Sequence, residues 1–273
     1  MQYSFSEASL RHFYTQIYNL LRETDKNLSE MWCEISDIPF FGDFNIMELT
    51  DFLHGFSFIS IRKGNYKQYL VVDKILFIMD CIKILKYDIK DLSKILDYSG
   101  FEKLIKSILT ENNFLTITNF RFSGSKFNIN TAQKKFEIDV IGIYLNNILV
   151  IDAKQWNRKD TYSTLNKAAN QQYSRIKALS QNSVAFSRLL AELLGERTNF
   201  QKYLPFNLIP MVVTLEDNSI KLNENQVPLV SIYELNAYLQ ELPNIRHFFK
   251  LVKITKLNTQ VNIDKSFIFN SEK

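Results

Sequence analysis

Two aspartates and one lysine stand out because apolar neighbours make their charges unfavourable. Asp139 follows the segment Phe136-Glu-Ile, and Asp152 and Lys154 end the segment Ile148-Leu-Val-Ile. A carboxylate at the end of a buried strand destabilises a fold unless a cation or hydrogen bonds compensate for its charge. These side chains are therefore candidates for a site in which two carboxylates share one cation.

A tight hairpin would bring the three side chains together. Asn146-Asn147 is predicted to form a two-residue turn, because asparagine tolerates the positive φ of such turns. This turn places Asp139 opposite Lys154 and Ile141 opposite Asp152. Opposed residues share a face and lie about 5 Å apart at Cβ, and diagonal ones about 7–8 Å apart. The three charged side chains are thus predicted on one face, at a separation that suits a shared cation.

A purely structural role is the alternative. An ion pair between Asp139 and Lys154 across the hairpin would account for two of the three residues. It accounts less well for Asp152, whose charge ends an almost purely apolar strand. Spacing alone leaves both interpretations open.

The composition is that of a folded protein, and the N-terminal part of the chain offers no candidate catalytic residues. The 273 residues are 46% hydrophobic, with only 7 glycines and 5 prolines, a composition typical of a folded protein rich in regular elements. Residues 1–95 are predicted to be mostly helical, since Leu10, Phe13 and Ile17 recur at helical spacing. Residues 69–85 are predicted as a buried helix and residues 56–61 as a short strand. The role of this region, in substrate selection or dimerisation, stays undecided.

Residues 96–273 follow a different pattern and form the second predicted domain. An apolar helical stripe runs from Phe101 to Leu109. It is followed by predicted strands at 115–122, 136–145 and 148–154, a long helix at 162–194 ended by Gly195, strands at 208–215 and 227–232, and a helix capped by Ser231. Antiparallel strands that lead into a crossover helix predict an α/β fold, with a mixed sheet flanked by helices.

Two motifs resemble those of the PD-(D/E)XK nuclease superfamily. They are Glu137-Ile-Asp139-Val and Asp152-Ala-Lys-Gln-Trp156, joined by a short hairpin and preceded by Glu102 on a helix. The resemblance covers about residues 96–245 and implies a restriction-endonuclease-like sheet. Ile138 replaces the proline that usually precedes the first aspartate of the superfamily.

The resemblance implies a role for each residue of the hairpin. Asp139 and Asp152 would coordinate Mg²⁺ or Mn²⁺, and the backbone carbonyl of Ala153 would add a further oxygen ligand. A bound metal ion would acidify a water and neutralise charge on the scissile phosphate. Lys154 would position that water or help to deprotonate it, and would hold the phosphate.

Glu102 has two interpretations. The segment Ser99-Gly-Phe-Glu102 matches a capping box, in which the glutamate closes the start of the helix. Glu102 also flanks the apolar stripe, and from there it would reach the sheet edge as a catalytic residue that binds the metal or the water. Glu137 is an alternative acid on the face of Asp139, or a charge at the rim of the site.

The long helix offers further candidates. Lys167, Gln171 and Arg175 recur every four residues and share one face. The resemblance implies a glutamine or lysine near the catalytic residues, and Gln171 or Gln172 would fill that position. Lys167 and Arg175 would contact phosphates without reading sequence. The alternative is an ordinary solvated helix face.

A basic zone surrounds these residues. From Lys154 to Lys202 the chain has nine Lys and Arg against three acidic residues, a local charge of +6 in a chain of net charge +4. Arg158 and Lys159 belong to this zone and are further candidates for phosphate contacts. Such a zone is what a nucleic-acid backbone requires.

Other features bound the location and the chemistry. The first residues show no basic start followed by an apolar run, so we expect no signal peptide. Cys33 and Cys81 are far apart in sequence and suggest a reducing compartment, so we expect a cytoplasmic protein with no membrane partner. The sequence has no HExxH motif or Cys/His cluster typical of a zinc site.

These expectations lead to one preferred function and two alternatives. The preferred function is a Mg²⁺- or Mn²⁺-dependent nuclease that hydrolyses phosphodiester bonds in DNA, in repair, recombination or defence. The alternatives are a nuclease that acts on RNA and a non-catalytic nucleic-acid-binding or assembly module on the same fold. A homodimer is possible, because relatives are often dimers.

Overall fold

A computed structural model of the chain describes residues 6–42, 44–85, 88–123, 135–155, 162–215 and 221–257. The N-terminal elements are α1 (Glu7–Glu23), β1 (Glu30–Glu34), α2 (Ile46–His54), β2 (Ile59–Lys63), β3 (Gln68–Asp73), α3 (Lys74–Leu85) and α4 (Ile89–Ser93). They are followed by α5 (Tyr98–Glu111), β4 (Leu115–Ser123), β5 (Lys135–Tyr144), β6 (Asn147–Lys154), α6 (Tyr162–Gln181), α7 (Ser183–Leu194), β7 (Phe206–Thr214), β8 (Leu229–Ser231), α8 (Ile232–Ile245) and β9 (Val252–Ile254). None of the helices within these ranges combines the length and the apolar character needed to cross a bilayer.

The larger sheet has six strands of mixed direction. Its order is β4-β5-β6-β7-β8, and β9 pairs with β7. β4, β5 and β6 are antiparallel neighbours, whereas β7 runs parallel to β6 and β8 parallel to β7. The parallel step from β6 to β7 passes through α6 and α7, as a crossover connection requires. The predicted α/β fold, with a mixed sheet flanked by helices, is confirmed.

The N-terminal region contains a second, smaller sheet, of which the sequence predicted one strand, at 56–61, where the structure has β2 at Ile59–Lys63. β1, β3 and β2 form it in that order, all antiparallel. The apolar stretch 69–85, predicted as one helix, divides into β3 and α3. The division falls at Asp73, whose Oδ1 accepts the N–H of Leu76 at 2.9 Å and so caps the helix start.

Two hydrophobic clusters cover opposite faces of the larger sheet. Side chains alternate along β6: Leu149 and Ile151 belong to the cluster with α5 and α8, and Ile148 and Val150 to the cluster with α6 and α7. The first cluster continues without a break into the N-terminal region, through residues such as Phe13, Phe58, Phe77 and Phe101. Helix α5 therefore packs on the larger cluster, and α6 packs on the second cluster and on a third, smaller one around Val212 and Leu229.

The helix predicted over 162–194 is two helices. Asn182 interrupts it with a non-helical φ of −107° and ψ of 88°, and its side chain accepts the N–H of Ala185 at 3.0 Å. Asparagine is a favoured cap because its side chain satisfies a free N–H of the next helix. The prediction of one continuous helix was wrong, although Gly195 ends α7 as expected, with a φ of 88°.

The hairpin between β5 and β6 turns one residue earlier than predicted. Tyr144 pairs with Asn147, so the turn residues are Leu145 and Asn146, and Leu145 takes a φ of 56°. Asn147 belongs to the strand because its buried side-chain oxygen accepts hydrogen bonds from Asn207 and Arg246. These are tertiary contacts that the local sequence does not reveal.

Helix α5 is capped by Asp97 and not by Ser99. Oδ1 of Asp97 accepts the N–H of Gly100 at 2.7 Å, which makes Tyr98 the first helical residue. Ser99 is exposed in the first turn. The interpretation of Glu102 as the second half of a capping box was therefore wrong.

This assignment predicts different effects of two substitutions. We expect Asp97→Ala to lower the free energy of unfolding by about 1 kcal/mol, because a helix N–H loses its acceptor. Ser99→Ala should change it by less than about 0.5 kcal/mol, as for most surface positions. Urea denaturation of both variants measures this, and a larger loss for Ser99→Ala would contradict the assignment.

Candidate active site

The candidate residues lie where strands β5 and β6 separate. Backbone pairing between these strands ends at Val140 and Ile151, while β6 continues beside β7 as far as Lys154. Oδ2 of Asp139 accepts the N–H of Ala153 at 2.8 Å. The side chain of Asp139 thus binds the N–H of Ala153, which has no backbone partner on β5.

The earlier turn changes the cross-strand partners but not the faces. Continuing the observed register places Asp139 opposite Asp152, and not opposite Lys154 as predicted. The partner position on β6 moves by two residues, and residues two apart share a face of a strand. Asp152 and Lys154 therefore share one face of β6, as predicted, whereas the position of Asp139 depends on a local irregularity.

A local irregularity turns Asp139 towards the end of the sheet. Asn119 on β4 has a positive φ of 56°, a conformation that asparagine tolerates better than most residues. The regular pairs on either side are Phe120 with Ile138 and Thr118 with Val140. Ile138 packs with the α6 side of the sheet and Val140 with the α5 side, so the face alternation breaks at Asp139.

Tyr98 joins Asp139 to the backbone of β6. Its hydroxyl lies 2.9 Å from Oδ2 of Asp139 and 2.9 Å from the carbonyl oxygen of Ala153, and it donates its proton to one of them at a time. The sequence reasoning missed Tyr98. The available signal was its position four residues before Glu102, which puts both side chains on one face of α5.

Asp152 is almost completely buried and is bound by two cations. Its side chain is 2% exposed; Oδ2 lies 2.9 Å from Nζ of Lys154, and Oδ1 lies 2.5 Å from Nη1 of Arg175. Nη1 of Arg175 also donates to Oε1 of Gln172 at 2.9 Å. Nε2 of Gln172 in turn donates to the carbonyl of Val150 at 2.7 Å, which fixes this buried amide against β6.

This network refines two predictions about α6. Arg175 was expected to contact phosphates, and the structure instead pairs it with a candidate metal ligand. Of the two adjacent glutamines, Gln172 is the one that lies beside the aspartates, through Arg175. Gln171 is exposed on the neighbouring surface.

Glu102 is a buried carboxyl with a shifted pKa. It is 5% exposed on α5. Burial is the largest cause of the shift, which raises the pKa of Glu102 to about 7. The negative charges of Asp139, Glu137 and Asp97 add to the shift, and the charge of Lys154 opposes it. This carboxyl therefore exchanges its proton near neutral pH.

Asp139 is shifted in the same direction. Burial, and next the negative charge of Asp152, raise the pKa of Asp139 above its usual range. The N–H of Ala153 and the hydroxyl of Tyr98 partly oppose this shift, because they stabilise the charged form. Asp139 and Glu102 thus lie in surroundings that disfavour a negative charge.

The candidate residues line one cleft, which we call the acidic cleft. It has a volume of about 420 Å³ and is lined by Tyr98, Ser99, Glu102, Asn119, Glu137, Asp139, Asp152, Lys154 and Arg175. Glu137 lies at its rim, where it pairs with Arg121 at 2.8 Å. The structure therefore brings together the four residues predicted as the centre of the site: Glu102, Asp139, Asp152 and Lys154.

A second cleft, which we call the basic cleft, lies beside the first. It has a volume of about 740 Å³ and is lined by Lys135, Phe136, Glu137, Ser163, Asn166, Lys167, Asn170, Gln171, Ser174 and Arg175. Lys167, Gln171 and Arg175 thus share one face of α6, as their spacing predicted. Arg158 and Lys159 lie outside the described residues.

The donor chemistry of the acidic cleft suits a hard divalent cation. Four of its side chains are carboxylates and two are cationic. Carboxylate and carbonyl oxygens are the ligands that Mg²⁺ and Mn²⁺ prefer. Burial and the neighbouring carboxylates raise the pKa values of Glu102 and Asp139, so a cation bound beside them would stabilise their charged forms.

The present arrangement of these donors is not that of an assembled metal site. In the described part of the chain, no group of three or more His, Cys, Asp or Glu side chains is arranged to hold a metal ion. Both oxygens of Asp152 contact cationic side chains, and the carbonyl of Ala153 is within hydrogen-bond distance of Tyr98. Metal binding at Asp152 would require one of its cations to move away.

Comparisons with known proteins add little at this point. No family model matches the sequence, and no curated protein matches it. The solved structures that match include protein VC1899 from Vibrio cholerae, with a TM-score of 0.30 and 14% identity. The match covers 88% of this chain and 51% of VC1899, so this chain spans about half the length of that protein. A likeness this weak carries no argument about function.

The shifted pKa of Glu102 predicts a pH-dependent effect of its removal. A carboxyl whose pKa rises from 4.5 to about 7 on folding makes folding less favourable as pH increases through that window. We expect Glu102→Gln to stabilise the protein at pH 8 by up to about 3 kcal/mol. The gain should shrink as pH falls and vanish near pH 4.5.

Thermal and urea denaturation at pH 5, 6.5 and 8 measure this dependence. Glu23→Gln is the matched control, because Glu23 is exposed at the end of α1. An equal effect of Glu102→Gln at all three pH values would contradict the buried, proton-binding role of Glu102.

Proposed function

We propose that this protein is a metal-dependent nuclease that hydrolyses phosphodiester bonds in DNA. The observation that carries the proposal is the convergence of Glu102, Asp139, Asp152 and Lys154 in one cleft at the end of the sheet. Burial of three carboxyl groups beside a partly buried lysine is unfavourable for stability alone, and it is typical of sites that use their charges. The basic cleft beside it provides a surface for the nucleic-acid backbone.

The proposed metal ligands are the carboxylates of Asp139 and Asp152 and the carbonyl of Ala153, with Glu102 as a further ligand. When bound, Mg²⁺ or Mn²⁺ supplies a more acidic water and positive charge beside the scissile phosphate. Tyr98 orients two of these ligand groups from one hydroxyl, since it contacts both Asp139 and Ala153.

The chain's own residues supply the remaining functions. Lys154, whose side chain is 20% exposed, presents an ammonium group to the cleft and would hold a phosphate oxygen. Glu102 would either bind the metal or, beside the attacking water, accept a proton from that water. Lys167 and Gln171 would contact the nucleic acid in the basic cleft, away from the bond that is cut.

This proposal predicts metal-dependent cleavage that requires the buried aspartates. Purified protein is incubated with single-stranded, duplex and branched DNA and with RNA, in Mg²⁺, Mn²⁺ or EDTA. We expect cleavage of DNA in Mg²⁺ or Mn²⁺ only, and a fall of about 100-fold or more in Asp152→Asn and Asp139→Asn. Gel analysis of labelled substrates measures the rates.

The control for this experiment is Asp51→Asn, because Asp51 is exposed on α2 in the N-terminal region. Cleavage that continues in EDTA and in both cleft variants would refute the proposed active site. Faster cleavage of RNA than of any DNA would assign the other nucleic acid as the substrate.

A non-catalytic nucleic-acid-binding or assembly module is the second candidate. The observation that favours it is the pairing of Asp152 with both Lys154 and Arg175, which stabilises the charges of the cluster without any metal. In such a module the cluster would only connect β6 to α6.

Divalent ions distinguish the two candidates. With a short DNA duplex present, a nuclease of the proposed kind should gain thermal stability from Mg²⁺ or Mn²⁺, because the ion binds the folded state. Asp152→Asn should remove that gain. Nucleic-acid binding together with an unchanged melting temperature and no cleavage in any metal would favour the non-catalytic module.

A further inference from the structure

Arg175 is positioned between the two clefts. Together with Glu137 it lines both of them. Its side chain is 24% exposed, whereas the side chain of its partner Asp152 is 2% exposed. Arg175 is therefore a cation that contacts a buried carboxylate from a partly solvated position.

The two clefts have opposite charge. The acidic cleft has four carboxylates and two cations, whereas the basic cleft has three cations and one carboxylate. The three cations of the basic cleft are Lys135, Lys167 and Arg175. A phosphodiester backbone is attracted to the basic cleft, and a metal ion to the acidic one.

Arg175 is bound to a carboxylate oxygen of Asp152 that would coordinate the metal ion. Its Nη1 is bound to Oδ1 of Asp152, and Lys154 is bound to Oδ2. Lys154 lines the acidic cleft, whereas the guanidinium of Arg175 also reaches the basic cleft. Arg175 thus has a second binding site, the basic cleft, next to the carboxylate that it binds.

We propose that Arg175 couples nucleic-acid binding to metal binding. A backbone phosphate in the basic cleft attracts the guanidinium, because arginine binds phosphate through paired hydrogen bonds as well as charge. The guanidinium then leaves Oδ1 of Asp152, and this oxygen becomes free to bind the metal ion. The inference rests on the proposed function, and it adds that the metal site becomes complete when substrate is present.

Gln172 makes the unbound arrangement a defined state. Its buried amide is fixed by the carbonyl of Val150 and accepts a hydrogen bond from the same Nη1 that binds Asp152. Arg175 is therefore held in place by two acceptors until a phosphate competes for it. This restraint keeps a metal ion from binding tightly while the basic cleft is empty.

Coupling of this kind is reciprocal. If nucleic acid strengthens metal binding by some factor, the metal strengthens nucleic-acid binding by the same factor. For the wild type we expect a factor of about 10 or more in both directions, within the usual range of such couplings.

The experiment titrates Ca²⁺, a hard cation with the same oxygen preference as Mg²⁺, into the full chain by calorimetry. The titration is made with and without a short DNA duplex, and the heat of Ca²⁺ binding to the duplex alone is subtracted. Fluorescence anisotropy of the labelled duplex, in Ca²⁺ and in EDTA, gives the reciprocal factor.

The decisive variant is Arg175→Gln, which removes the positively charged guanidinium that is bound to Oδ1 of Asp152. We expect it to bind Ca²⁺ without duplex about 10-fold more tightly than wild type, and to respond to duplex by less than about 2-fold. The matched control is Lys177→Gln. Lys177 is exposed on the same helix, with Nζ 4.5 Å from the ring centroid of Tyr173. We expect the Lys177→Gln variant to bind Ca²⁺ with the affinity of the wild type.

Each result decides one of the two proposals. Equal Ca²⁺ affinity of wild type and Arg175→Gln, or a wild-type affinity that duplex leaves unchanged, would overturn the coupling while leaving the nuclease proposal intact. Absence of Ca²⁺, Mg²⁺ or Mn²⁺ binding in every protein, with and without duplex, would overturn the nuclease proposal itself. If Arg175→Gln does not fold, as judged by circular dichroism, the reciprocal factors of the wild type decide alone.

Discussion

The charge of Asp152 is the constraint on which the candidate site depends. A carboxylate that is 2% exposed at the end of an apolar strand requires compensation, and the structure supplies it through Lys154 and Arg175. Because Arg175 lies on α6, this compensation fixes the helix against β6. Tyr98 and Asp139 make the corresponding connection on the other side, between α5 and β6. The two layers of helices are thus joined by polar contacts at one end of the sheet.

The elements of the C-terminal part were predictable because their patterns are local. Strand alternation, a short turn and a strong apolar stripe on α5 are all visible in the sequence. The register of the hairpin was not, since it depends on hydrogen bonds from Asn207 and Arg246 to Asn147. Asp152 and Lys154 were still placed on one face, because the error moved the partner position by two residues. The irregularity at Asn119, which turns Asp139 towards the end of the sheet, was not visible in the sequence.

Other parts of the site depended on contacts between distant segments. The pairing of Arg175 with Asp152 spans 23 positions, and the hydrogen bond from Tyr98 to Asp139 spans 41. Neither is encoded in a local pattern. The choice between Gln171 and Gln172 has the same origin: adjacent positions on a helix differ by the face they present, and the carbonyl of Val150 selects the second. Of the N-terminal sheet, only a strand near β2 was predicted. β2 and β3 form a local hairpin, whereas β1, which was missed, pairs with β3 across a long separation.

The two helices that line the site, α5 and α6, pack on different apolar clusters. Helix α5 carries Tyr98 and Glu102 and belongs to the large apolar cluster that extends through the whole N-terminal region, whereas α6 carries Arg175 and belongs to a smaller one. Helix α5 packs on the cluster that also contains Phe13, whereas α6 packs on the cluster of Ile148 and Val150 and on a third cluster around Val212 and Leu229. The α5 side of the site is therefore continuous with the N-terminal core, and the α6 side belongs to separate clusters. The N-terminal region carries none of the proposed ligands, but through this shared core it supports the helix that carries Tyr98 and Glu102.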